Sequence, residues 1–330
     1  MMRGFALCGL SAVLLVAAAS ATALDRRAID YGAERAAIEE FQELDQRLQD
    51  VGWKLARSNA DFCQETAPSI GLQLQDMASY GSPDIARKAL GLIQDFAVQT
   101  AAQGSPSALS GAFWRNREIV EADGANMSEW PASERLDWRR LVRAHDALDT
   151  GLTSNGEVTF RFSDASKETV KPVTVCRTRF ELSGEGERAV ADGKRVVIGS
   201  RFYGFTYSEE LFAAAVAHEL AHNLLRHRDW LDQNGRKRRN VRTTEREADK
   251  LMPWLLANAG YDPAAAGRFF REYQPSSGGG FLLRGSHDNW EKRAKVVEAE
   301  VPRIHSLMKR EGRADWSGHF ARMIEPENAR

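Results

Sequence analysis

A chain of 330 residues is long enough for two domains and a sizeable buried core. Its composition, 43% hydrophobic and 28% charged, is that of a globular protein and excludes a fibrous or low-complexity one. With 45 basic against 46 acidic residues the net charge is −1, which gives no electrostatic ground for a nucleic-acid partner, and none is expected.

The first 23 residues read as a secretory signal: Arg3 supplies a positive start, Phe5 to Ala19 is an apolar run, and Ala21-Thr22-Ala23 is a small-x-small cleavage site. The run is shorter than the roughly 20 residues that span a bilayer. The expectation is therefore export, to a periplasm or the outside. An uncleaved N-terminal anchor is the alternative, and peripheral membrane association is compatible but not required. Cys8 goes with the signal. The two cysteines left, Cys63 and Cys176, are expected to form one disulfide in an oxidising compartment.

Residues 24–100 are assigned to an N-terminal helical part. Ile38, Phe41, Leu44, Leu48, Val51 and Leu55 fall at three- and four-residue steps, which predicts a helix to about Arg57. A second helix is predicted over 83–100. The character changes from about 101 to 180. Gly104-Ser105-Pro106 opens a turn before a short helix, and Arg117 to Gly124 reads as strand then turn. A helix is predicted over 134–148, and the alternation in 156–162 and 169–179 predicts paired strands. This order, with Asn116 to Gly124 as the matching strand and turn, resembles a bacterial PDZ-like domain, although Asp123 stands where Asn is usual. The resemblance implies binding of C-terminal peptides by strand addition.

Residues 181–312 carry the chemistry. Arg195 to Ser200 is a predicted strand, and Ser208 to Leu225 a strongly apolar helix. A polar, basic connection over 226–243 includes Arg236-Lys237-Arg238-Arg239, read as a solvated loop. Helices are predicted over 244–259, 263–273 and 291–309, with a flexible Ser/Gly loop at 276–280. The remainder, 313–330, is taken as a loosely ordered tail.

His218 and His222 are four apart, so their imidazoles leave one helix face a turn apart, a spacing that suits two ligands of a tetrahedral Zn²⁺. Glu219 projects beside them and is the natural general base for a water held at the metal. A third histidine six residues after His222 is excluded, because Arg228 is there and Leu225 replaces the Gly that this solution needs. His227 points off the shared face. The candidate third ligand is Glu245, with Asp249 one turn later on the same face to orient a ligand imidazole. Glu247 is explained by a capping box with Thr244 and is the alternative ligand.

His218-Glu219-Leu220-Ala221-His222 followed by Glu245-Arg246-Glu247-Ala248-Asp249 is similar to the motifs of metallopeptidase family forty-eight, the HtpX-like and CAAX-prenyl-protease-type gluzincins. Ser286 to Arg293 resembles a further segment of that family. The resemblance implies an α+β fold: a mainly α-helical gluzincin metallopeptidase domain with a small edge β-sheet, interrupted by the PDZ-like α+β insertion. It implies one Zn²⁺ per chain held by His218, His222 and Glu245, with Asp249 behind them and His287 and Arg293 near the open side of the metal as catalytic groups. It also puts Val196, Val197, Ile198 and Gly199 in the place of the substrate-pairing edge strand. Two departures stand out: Asp288 replaces the Pro usual after His287, and the usual Asn-Ala pair is absent at Ala189-Val190.

The expected activity is that of a zinc-dependent endopeptidase acting on exported, unfolded or misassembled envelope polypeptides. The alternative is a PDZ-like substrate-binding or chaperone-type module with a gated or silent peptidase site.

Overall fold

The structure, a computed structural model, describes residues 29–131, 136, 138–272 and 289–324. The signal segment, the Ser/Gly loop at 276–280 and His287 lie outside the described residues.

Helix α1 (Tyr31–Ser58) turns Ile38, Leu48, Val51 and Leu55 inward along one stripe. Strands β1 (Thr66–Ser69) and β2 (Leu72–Asp76) follow, then helix α2 (Pro83–Leu90) and strand β3 (Phe96–Ala101). The helix predicted to run to residue 100 thus stops at Leu90, because Gly91 takes the left-handed conformation (φ 73°) that terminates it. Phe96, Ala97 and Val98 then continue as a buried strand paired with β2.

Helix α3 (Pro106–Ser110) is capped by Ser105, whose hydroxyl accepts from the Ala108 amide. Strands β4 (Ile119–Ala122) and β5 (Ala125–Asn126) lead to helix α4 (Arg139–Asn155). Four strands come next: β6 (Val158–Phe162), β7 (Lys167–Val170), β8 (Val173–Cys176) and β9 (Arg179–Ser183). Of the segment predicted to pair with β6, only β7 does so. β8 instead runs antiparallel to β1, with Cys176 opposite Thr66. The expected Cys63–Cys176 disulfide is present at the end of that pair, its Cα atoms 5.5 Å apart.

β2, β3, β4, β6 and β7 enclose an apolar core with α4, built on Leu74, Phe96, Val98, Phe160, Phe162 and Leu148. This second core therefore begins near Ile70, not at the boundary of 101 expected from sequence. A polar seam on α1, formed by buried Gln42, Asp45 and Gln49, lies against it; Gln42 bonds Gln75, and Gln49 donates to the Phe180 carbonyl.

Strands β10 (Ala189–Ala191) and β11 (Arg195–Gly199) form a hairpin whose turn needs Gly193 at φ 93°. β11 also pairs parallel with β9, so it is the middle strand of three. The expectation that Val196 to Gly199 forms an open edge is thereby corrected: both sides of β11 are occupied, and β10 is the antiparallel edge. Val196 and Ile198 instead point into the main core.

The main core is helical. α5 (Glu209–Leu224) is buried over nearly its whole circumference, and its run of alanines lets neighbouring helices approach closely. α6 (His227–Asn234) and α7 (Arg238–Asn258) replace the expected polar connection, and α7 is the most extensive partner of α5. Because α7 starts at Arg238, Thr244 and Glu247 lie in its interior and form no capping box; the Thr244 hydroxyl donates to the Val241 carbonyl.

α8 (Ala265–Glu272) is followed by α9 (Trp290–Glu298) and α10 (Val301–Glu311), two helices where one was predicted. The described part of the supposed tail is packed: α11 (Trp316–His319) follows Gly312, and Ala314, Trp316 and Ile324 are buried. The fold is α+β, mainly helical with small sheets. Among the described residues, no helix is long and apolar enough to cross a membrane.

Candidate metal centre

α5 and α7 pack side by side, which brings the His218–His222 face against the Glu245–Asp249 face. His218 Nε2 and His222 Nε2 are 3.2 Å apart. Glu245 closes the triangle, Oε2 at 3.3 Å from His218 Nε2 and Oε1 at 3.5 Å from His222 Nε2. Donors about 2.0–2.1 Å from a tetrahedral ion stand about 3.3–3.4 Å from one another. The two imidazole nitrogens are near that separation, and each has one Glu245 oxygen at a similar distance. One ligand atom from each of the three residues lies within 4.8 Å of the others. His218, His222 and Glu245 are the group of donors that could hold a metal among the described residues. Glu247 lies outside it.

Burial works against a charged His218, but Asp249 and Glu245 outweigh it and hold its pKa up at about 9. Glu219 is buried beside the ligands. Burial raises its pKa, the two ligand histidines oppose the rise, and the Ala191 amide of β10 donates to its carboxylate. A raised carboxyl pKa suits a group that must take and return a proton.

The hairpin is fixed to the same helix. The Gly193 amide donates to Asn223 Oδ1 at 2.8 Å, and Asn223 Nδ2 donates to the Thr178 hydroxyl at 3.0 Å. The residue after the second histidine thus holds the β10 edge against the carboxylate of Glu219.

The His218 imidazole is backed directly by a carboxylate and an arginine, and the His222 imidazole through a further histidine. Asp249 Oδ1 lies 3.0 Å from His218 Nδ1, and Arg293 donates to both Asp249 oxygens, Nε at 2.7 Å and Nη2 at 2.5 Å. Burial raises the Asp249 pKa, but Arg293 and His218 outweigh it and lower it. Arg293 is therefore buried behind the ligands, across Asp249, and not at the open side where the family resemblance put it. The indole of Trp290 and the ring of Phe270 flank its guanidinium.

Behind His222 the partner is His227, Nδ1 to Nδ1 at 2.9 Å, and His227 Nε2 is 2.9 Å from Glu247 Oε2. Burial lowers the His227 pKa to about 4, so the ring is neutral. For Glu247 burial is outweighed by His227 and Arg322, and its pKa falls to about 2.

Sequence reasoning weighed His227 and Glu247 only as possible ligands, and Glu247 as a capping residue, and did not single out Arg322. One local signal was available for Glu247: Thr244, Glu247, Ala248 and Leu251 form an inward stripe, and an acid in such a stripe is buried only with partners.

Comparison with protein-family models, with curated proteins and with solved structures gave no match to this chain. The functional reading therefore rests on the motif residues and their geometry.

Proposed function

We propose that the chain is a zinc-dependent endopeptidase of the gluzincin type, with His218, His222 and Glu245 as ligands. The observation that carries this is the convergence of His218, His222 and Glu245, whose ligand atoms lie within 4.8 Å of one another, with the buried carboxylate of Glu219 beside them. His218, His222 and Glu245 would hold the zinc, which would supply Lewis-acid chemistry there, acidifying a water and polarising a scissile carbonyl.

Glu219 takes the proton of that water and passes it to the leaving amine, its raised pKa favouring both directions of transfer. Asp249 and Arg293 hold the ring of His218 so that Nε2 faces the metal. β10, the open edge next to Glu219, is the proposed pairing site for an extended polypeptide, in place of β11.

The strand-rich core with α4 is proposed as the PDZ-like insertion, binding polypeptide C-termini. The Cys63–Cys176 disulfide supports an oxidising compartment, and exported envelope polypeptides are the proposed substrates.

The test is zinc content and casein cleavage by the purified chain, alongside Glu219→Gln. One zinc per chain is expected, with Glu219→Gln retaining zinc and losing about 10²–10⁴-fold in rate. Equal cleavage by native protein and variant refutes the base, and failure to hold zinc after reloading refutes the ligand set.

A further inference from the structure

Glu247 is outside the candidate ligand group, yet it is fully buried and collects five donors. One is His227 Nε2. The other four come from the C-terminal segment: Arg322 Nε at 2.8 Å and Nη2 at 3.4 Å, the Met323 amide at 2.5 Å and the Ile324 amide at 3.3 Å. We propose that this segment is a working part of the metal centre, and that Arg322, Glu247 and His227 act as positioning residues that set the ring of His222.

Hydrogen-bond logic leaves one assignment. His222 Nε2 faces the other two donors and must keep its lone pair for the metal. Its proton then sits on Nδ1 and is given to His227 Nδ1, 2.9 Å away. His227 in turn carries its proton on Nε2, aimed at Glu247, which accepts it as a carboxylate. Remove Arg322 and the buried carboxylate loses its cationic partner; remove Glu247 and the buried Nε2–H of His227 loses its acceptor.

The segment is anchored well enough to do this. Trp316 Nε1 donates to Asn59 Oδ1 at 3.0 Å, and the Ala314 amide to Asn258 Oδ1 at 2.8 Å. Arg322 Nη2 also donates to the Leu225 carbonyl at 3.1 Å, directly after the ligand-bearing helix. The two proposed histidine ligands are thus supported by two different arginines: His218 through Asp249 by Arg293, and His222 through His227 and Glu247 by Arg322.

This inference rests on the zinc reading above. Its test uses the full chain carrying Arg322→Met, Arg322→Lys or Glu247→Gln. Zinc affinity is measured by competition with a chromophoric chelator, ligand geometry by the visible spectrum of the cobalt(II) form, and folding by circular dichroism. Arg322→Met and Glu247→Gln are expected to fold, to bind zinc about 10–100-fold more weakly and to shift the cobalt bands. Arg322→Lys, which keeps the charge, is expected to recover most of the loss.

Folded variants that keep native zinc affinity and an unchanged cobalt spectrum overturn the proposal, even if their thermal midpoints fall, because the segment is then only a structural strap. If Glu247→Gln does not fold, the Arg322 pair decides by the same criteria. A native chain that holds no zinc overturns the zinc reading and this inference together, whereas zinc-binding variants indistinguishable from native overturn this inference alone.

Discussion

Asp249 is held between His218 and Arg293: one of its oxygens lies 3.0 Å from the imidazole Nδ1, while both accept from the guanidinium. All three side chains are buried. Arg293→Met takes the guanidinium from that buried carboxylate and leaves only the His218 imidazole beside it, which costs about 3–5 kcal/mol. Urea unfolding should show this loss. Adding Asp249→Asn should recover part of it, since the stranded charge goes with the aspartate. A single variant as stable as native means that the pair is not coupled to folding.

Zinc should stabilise the folded chain by mass action. At a free metal concentration about 100 times the dissociation constant the gain is about 2.7 kcal/mol, visible as a raised thermal midpoint that a chelator reverses. Glu245→Gln replaces one ligand with a weaker one and should keep the metal-free midpoint while losing most of the rise. A full zinc response in that variant removes Glu245 from the ligand set.

Asp45 gives the fold a pH dependence away from the metal. It is buried on α1, accepts from Gln49 and Gln99, and burial lifts its pKa from 3.8 to about 6. An acid whose folded pKa is raised binds more protons folded than unfolded. Its contribution is complete below about pH 4 and is lost as pH rises through about 6. Subtracting the Asp45→Asn stability profile from that of the native chain should expose this slope, and parallel profiles would rule it out.

The Cys63–Cys176 bridge closes a loop of 113 residues that contains the whole strand-rich core. Replacing both cysteines with serine should cost roughly 2–4 kcal/mol, chiefly through the freer unfolded chain. Reduction of the native protein should lower the midpoint by the same amount, and should leave the double variant unmoved.

The candidate ligand face was legible in the sequence because helical spacing is local. His218 with His222, and Glu245 with Asp249, each share a face by being four apart, whatever the rest of the chain does. Which faces meet is not local. The packing of α5 on α7 chose Glu245 for the triangle and turned Glu247 away from it towards His227 and the C-terminal segment. No spacing links Arg322 to Glu247, 75 residues earlier.

The same division runs through the sheets. Alternation identified the strand at Val196 to Gly199, but a strand's own sequence does not say whether its edges are free. Pairing with β9 on one side and β10 on the other made it central and moved the open edge to Ala189–Ala191. By itself the sequence determined the local chemistry of two helices. The tertiary structure alone decided what stands behind each ligand, because a buried polar group must find partners, and long-range packing brings them within reach.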